Sequence, residues 1–339
     1  MKKIALIKNS GLGAGGVERW MQFSAYALQH HYKVYYLHTC LHQDESRRSF
    51  LENLSIEMHN LSSDYNQNKF DVVKLQEFFV NNNIDLSIVG KADGIEYPYN
   101  LIPTKVINRI AFATKVDNSE NIVHTVLPSE WLKKKWINAG GPEHKSTVIP
   151  SPVAQPSKKS QTTKDSELNI GFHQRCDENI FSYIPIIAYR TNNFPHVNYH
   201  IMGGAEKYKR YARLLGLRNI TYHSHSSNWE DISEFLSRLD IFAHGRKDGE
   251  TYGAVFAEAL MHGLPCLSHM SRYDNAHVET VGSNGIITKN LFSYHYNLRK
   301  LILNHKFRNS LALGAFEWAK RYSIKNNAEK LRSMIKRYI

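Results

Sequence analysis

The chain has 339 residues, with 43 Lys+Arg against 31 Asp+Glu for a net charge of +12. Domains cluster near ~100–150 residues, so this length predicts two of comparable size. A composition of 42% hydrophobic and 22% charged residues excludes the disordered class, which pairs low hydrophobicity with high charge. Cys40, Cys176 and Cys266 form no CxxC pair, which argues against a disulfide framework or a zinc ribbon and for a reducing compartment. The apolar start at Ile4 is cut by Lys8, too soon for a signal peptide, and no run reaches the ~18 apolar residues of a membrane span. The expected location is cytoplasmic, soluble or peripheral at the inner face of a membrane, and the basic balance points to an anionic partner.

Taken in chain order, Ile4 to Ile7, Gly11 to Gly16, Val17 to Gln29 and Lys33 to Leu37 read as strand, glycine turn, amphipathic helix and strand, a βαβ unit. Strand-like runs recur at Leu86–Gly90, Lys105–Ile107, Ile122–Val126 and Thr147–Ile149, with helical stretches between them, which predicts a parallel sheet flanked by helices. Residues 151–167 lack apolar periodicity and read as a linker between a domain of residues 1–150 and one of residues 168–318. The alternation resumes at Leu168–Phe172, Tyr199–Met202, Ile220–His223, Ile241–Ala243 and Pro265–Ser268. Phe307 to Tyr338 is helical in pattern and basic, and the helix of residues 319–339 is expected to pack back on the first domain.

Gly11-Leu-Gly13-Ala-Gly15-Gly16 contains G-x-G-x-x-G, but the second strand ends in His38-Thr39-Cys40, without the acid that a dinucleotide ribose requires. What remains is a glycine turn that lets backbone approach a ligand, ahead of a helix N-terminus suited to an anion. The more informative segment runs from Asp240 to Pro265. A strand ends near Ala243, a polar loop carries Arg246, Lys247 and Glu250, and Gly253 opens a helix that Gly263 and Pro265 stop. Glu258 falls inside that helix among apolar neighbours, where a carboxylate is costly without partners. An ionised carboxylate only accepts hydrogen bonds, so sugar or ribose hydroxyls suit both acids. Between them, the free N–H groups at Tyr252, Gly253 and Ala254 suit a diphosphate.

Glu250 and Glu258 form E-x7-E in the frame E-x-[FY]-G-x4-E-A-x3-G-x-P, which resembles the nucleotide-sugar site of retaining GT-B glycosyltransferases, the group 1 or family 4-like enzymes. Gly15-Gly16-Val17-Glu18 is similar to the family's GGxE loop. Pro128-Ser-Glu-Trp-Leu132 with Val148-Ile-Pro150 resembles its first-domain end, and Asn275-Ala-His-Val-Glu279 followed by Gly285 its late loop. The resemblance implies an α/β fold of two Rossmann-like domains facing across a cleft, the first binding the acceptor and the second the nucleotide sugar. It further implies that Glu250 contacts the donor sugar, that Glu258 binds the ribose and that the amides of Tyr252 and Gly253 face the diphosphate. The donor would be a UDP- or GDP-sugar and the acceptor a glycan or lipid-linked molecule.

The sequence departs from that pattern twice. Arg175 stands for the Arg of the family's G-R-x5-K-G motif, but no Lys follows, so Arg246 and Lys247 are the candidates for the second positive charge. No His occurs from Asn108 to Thr114, where many members carry one near the sugar; Lys91 and His124 are the nearby alternatives. There is no D-x-D, and the 18 His residues make no metal motif, so no metal or other cofactor is expected. Lys133, Lys134 and Lys135 between Trp131 and Trp136 read either as an anionic-membrane patch or as a solvated helix face. A catalytically silent nucleotide-sugar binder remains an alternative. A nucleic-acid-binding protein is the weaker rival, since no RRM-, OB- or helix-turn-helix-like pattern occurs, and no nucleic-acid partner is expected.

Overall fold

The computed structural model describes residues 1–9, 11–13, 15–40, 42–156 and 167–339, and within them the chain forms two compact units. Unit 1 comprises residues 1–152 and 324–339, and unit 2 residues 153–323. Most of the expected linker, residues 157–166, lies outside the described residues, as do Ser10 and Ala14 of the glycine turn.

In unit 1 the order is β1 (Lys3–Lys8), α1 (Gly16–Leu28), β2 (Lys33–His38), α2 (Glu45–Asn53), β3 (Glu57–Asn60), α3 (Val72–Asn82), β4 (Leu86–Lys91), β5 (Lys105–Ile110), β6 (Ile122–Leu127), α4 (Glu130–Asn138) and β7 (Ser146–Val148). The strands form a parallel sheet in the order β3-β2-β1-β4-β5-β6-β7. β1 and β4 are buried along almost their whole length, which is why they read as unbroken apolar runs rather than alternating ones. Asp44, Asp71 and Ser129 cap α2, α3 and α4 with side-chain oxygens that accept first-turn amides.

Unit 2 repeats the plan with β8 (Leu168–Gln174), α5 (Tyr183–Thr191), β9 (Val197–Gly203), α6 (Glu206–Leu214), β10 (Ile220–His223), α7 (Trp229–Ser237), β11 (Ile241–Ala243), β12 (Gly249–Glu250), α8 (Ala254–Met261), β13 (Cys266–His269), β14 (Asp274–Asn275), α9 (His277–Val281), β15 (Gly285–Thr288), α10 (Leu291–Leu303) and α11 (His305–Ala319). Its main sheet is parallel in the order β10-β9-β8-β11-β13-β15, and β12 pairs separately with β14. Numbered from its own first strand this is 3-2-1-4-5-6, the open doubly wound order, and unit 1 has the same order with one strand added.

The last helix, α12 (Ile324–Ile335), belongs to unit 1, where Ala328, Leu331, Met334 and Ile335 join the core with Trp20, Met21 and Leu28 of α1. Arg332 donates to the Ala27 carbonyl at 3.2 Å, and the Tyr338 hydroxyl lies 2.8 Å from Nδ1 of His124. The basic C-terminal run is therefore two helices separated by a turn at Lys320–Tyr322, and the chain returns to unit 1 at Ile324 rather than at residue 319. The two crossings lie side by side, since Val153 bridges Ser323 and its amide donates to the Tyr322 carbonyl at 2.8 Å.

Trp136 is a buried core residue packed with Leu127 and Leu132, and the Lys135 ammonium sits 4.4 Å over the Trp131 ring. The Leu132/Trp136 spacing is the inward stripe of an amphipathic helix, so α4 offers lysines but not two outward tryptophans. Among the described residues no helix is long and apolar enough to cross a membrane.

Candidate active site

In a doubly wound sheet, ligands sit beyond the C-terminal ends of the strands where the order reverses. In unit 2 that point is the β8/β11 pair. Arg175 follows β8, and His244, Gly245 and Arg246 follow β11, so the topology brings segments about seventy residues apart to one edge.

The loop after β11 is fixed by the loop before α9. The Ala276 amide donates to the Glu250 carbonyl at 2.9 Å, and the Asp274 amide to the Asp248 carbonyl at 3.1 Å. Gly249 has φ +76°, and a Cβ there would run into the Asp274 carbonyl oxygen, so this close approach requires glycine. Within the loop Arg246 grips Asp248 with two hydrogen bonds, 2.9 Å from Nε and 2.6 Å from Nη2, and reaches both Glu250 carboxylate oxygens at 3.3 and 3.4 Å. Burial pushes the half-buried Glu250 carboxyl up from its usual value, while Arg246 pulls it back down and Arg175 acts in the same direction. The structure thus groups Arg175, Arg246 and Glu250. Arg246 is not the spare cation that its sequence position suggested, because two carboxylates already neutralise it. Lys247 is exposed and in no ion pair among the described residues, and Arg175 is 62% exposed with Asp177 2.8 Å away.

Gly253, at φ +85°, caps α8 without a side chain to occupy the first-turn amides. Among the described residues the N–H groups of Gly253, Ala254 and Val255 have no acceptor, so the positive end of α8 is open. Tyr252 is buried, and its carbonyl accepts from the Thr280 hydroxyl. One turn further on, Glu258 is buried with Oε2 2.9 Å from Nε2 of His173 on β8. Glu258 also borders a cavity of about 540 Å³, together with Trp229 and Ser233 of α7, His262 just after α8 and residues 153–156. That volume lies in the range of small-molecule sites.

Beneath the edge lies a layer of buried histidines. His244 packs between Phe242, Phe172 and Phe256, and neither of its ring nitrogens has a partner among the described residues. Burial, with Arg246 nearby, pushes its pKa well below the ordinary value. Burial likewise pushes His277 down to about 4, although its Nε2 lies 3.1 Å from the His269 carbonyl. These rings are neutral near pH 7.

The sequence reading missed His173 and Asp248, the residues that touch Glu258 and Arg246. Asp248 was legible as an acid two positions from Arg246. His173 is 85 positions from Glu258 in the sequence, and its only local signal is a His near the end of an apolar strand. In unit 1, Gly15 precedes α1 with no side-chain cap, and a Cβ at Gly15 would strike the Glu18 carboxylate, while Gly16 has open space. Lys91 and His124 are both committed, the first in a buried ion pair with Asp117 and the second to Tyr338 and Thr147 at 2.8 Å each. Among the described residues no group of three or more His, Cys, Asp or Glu could hold a metal.

Residues 177–318, all within unit 2, match the family model described as Glycosyl transferases group 1. Alr3699/HepE of Anabaena, solved in complex with UDP-glucose, is similar at a TM-score of 0.79 and 16% identity, over 99% of this chain and 100% of that one. A glycosyltransferase from Rickettsia africae ESF-5 gives 0.77 at 14% identity, over 99% of this chain and 98% of that one. WaaG, a glycosyltransferase involved in lipopolysaccharide biosynthesis, gives 0.69 at 14% identity, over 99% of both chains. A search of curated proteins finds no match. The fold is GT-B.

Proposed function

We propose that this group 1 glycosyltransferase domain serves a retaining enzyme that moves a sugar from a UDP-sugar to an acceptor hydroxyl of a glycan or lipid-linked molecule. The observation that carries the reading is the open N-terminus of α8, set between Glu250 and Glu258 at the switch point of the sheet. Its free amides suit a diphosphate. Glu250 accepts hydrogen bonds from the donor sugar and Glu258 from the ribose, both as acceptors of hydroxyl protons. Arg175 and Lys247 supply positive charge to the leaving diphosphate, while Arg246 holds Glu250 in place. The UDP-glucose bound by Alr3699/HepE favours UDP over GDP. Gly15 and Gly16 give the first unit a backbone edge that a ligand can approach closely.

Both site acids are engaged with the donor, so neither is a base on the far face of the sugar, and front-face attack follows. The acceptor oxygen bonds to the anomeric carbon as the bond to the β-phosphate oxygen breaks, and that phosphate takes the acceptor proton. Charge grows on the diphosphate towards the transition state, so Arg175→Ala should lower kcat by more than it raises KM. Transfer should also survive EDTA; loss on chelation with recovery on manganese would overturn the metal-free reading.

A nucleotide-sugar binder without transfer is favoured by one observation, that Arg246 is neutralised and no lysine takes the family position. Donor hydrolysis without acceptor separates the two readings. A thermal-shift screen of UDP- and GDP-sugars identifies the donor, since a ligand at 100 times its Kd adds about 2.7 kcal/mol. NMR of the first-formed product then tests stereochemistry: a β-linked product from an α-linked donor means inversion.

A further inference from the structure

A helix on a protein surface normally turns charged and polar side chains of both signs to water. α10 does not. Its exposed residues are Phe292, Tyr296, Arg299, Lys300 and Leu303, spaced so that all fall on one narrow stripe along the helix. Phe292 is 83%, Tyr296 65% and Leu303 57% exposed. The stripe belongs to a segment with no acidic residue at all, since no Asp or Glu occurs between Glu279 and Glu317. Lys289 just before α10 and Lys306 at the start of α11 are exposed and extend it.

None of Lys289, Arg299, Lys300 or Lys306 is in an ion pair among the described residues. The Arg299 guanidinium stands 5.0 Å from the Phe194 ring centre and the Lys300 ammonium 3.9 Å from that of Phe307, contacts that orient the cations without cancelling their charge. Between α10 and α11 a shallow open cavity of about 540 Å³ is lined by Tyr296, Arg299, Lys300 and Lys306. It is large enough for a phosphate headgroup.

We propose that this face docks on an anionic lipid bilayer. Its thirteen residues extend about 20 Å. Cations interleaved with exposed aromatic and aliphatic side chains are the chemistry of an interfacial helix, with rings at headgroup level and charges among the phosphates. A second copy of the chain is disfavoured because the same unpaired cations would face one another. The site is distinct from α4, where the sequence offered lipid contact as one of two readings, and it does not depend on the donor chemistry.

Vesicle sedimentation tests it, with phosphatidylcholine alone and with added phosphatidylglycerol. The protein should sediment only with the anionic vesicles and less as salt rises, because the Debye length shrinks from about 10 Å at 0.1 M to 3 Å at 1 M. Removing one surface cation should weaken partition about fivefold, so the triple variant Arg299→Gln, Lys300→Gln, Lys306→Gln should lose about a hundredfold. Phe292→Ser with Leu303→Ser should weaken binding at every salt concentration, and Lys133→Gln with Lys134→Gln and Lys135→Gln should leave it unchanged. Melting followed by circular dichroism confirms that each variant is folded. The proposal is overturned by wild-type protein that stays in solution with anionic vesicles, by binding lost in the α4 variant and kept in the α10 variant, or by an α10-dependent dimer without lipid binding.

Discussion

The two units share a strand order and differ in what stands at the C-terminal end of their central strands. In unit 1, Lys8 at the end of β1 lies 3.4 Å from Glu18, and Lys91 at the end of β4 is fully buried against Asp117. Both cations are matched internally. In unit 2, β8 ends beside an exposed Arg175, and the loop after β11 leads to α8, whose first amides are unmet among the described residues. One edge is finished by its own ion pairs and the other is left open, so the same scaffold yields a stability element in one place and a binding element in the other.

Breaking the closed edge should have the largest effect. Lys91→Met leaves Asp117 charged and buried, and should cost about 3–5 kcal/mol in urea unfolding. Adding Asp117→Leu should recover most of it; no recovery would mean that the pair does more than balance charge. At the open edge, Glu258→Ala should weaken binding of the nucleoside diphosphate by about 1.5–3 kcal/mol in titration calorimetry. Unchanged affinity in a folded variant would move the ribose contact elsewhere.

Acid sharpens the contrast. Burial lowers the pKa of His200, His223, His244, His262, His269 and His277 in unit 2, but among the described residues of unit 1 only of His38 and His124. Each is neutral when folded and takes up a proton near pH 6.5 when unfolded, so its stabilisation is complete above about 6.5 and is lost as pH falls towards the folded value. For His277, with a folded value of about 4, the loss by pH 5 is about 2 kcal/mol. Calorimetry between pH 7.5 and 5 should show unit 2 melting progressively earlier than unit 1; transitions that move together would erase the distinction. The smallest effect belongs to His173→Asn, which should lower donor affinity by about 0.5–1.5 kcal/mol in titration calorimetry. Unchanged affinity would make His173 a packing residue only.

The open edge was far more legible in the sequence than the closed one. Glu250, Gly253 and Glu258 lie within nine residues on one loop and one helix, so local spacing alone sets their geometry. The Lys91–Asp117 pair and the His173–Glu258 contact join segments that only the folded sheet brings together. Strands buried on both faces, such as β1, β4 and β11, announced themselves as apolar runs, whereas β3, with the polar sequence Glu-Met-His-Asn at the sheet edge, did not. Of the two readings of the α4 lysines, the interfacial one leans on a Trp among lysines, but the spacing of Trp136 from Leu132 marks the inward face.

The return of the chain to unit 1 at Ile324 governs the order in which the molecule can be completed. Unit 2 is continuous from Val153 to Ser323, so every residue of its core has been synthesised before α12 begins. Unit 1 starts first and finishes last: until Ala328, Leu331, Met334 and Ile335 arrive, the core face beside Trp20 and Met21 has nothing to cover it. A nascent chain halted at Ser323 would therefore hold a complete second unit behind an unfinished first one, and a chaperone that binds exposed apolar surface would find it on the unit whose synthesis began before the other.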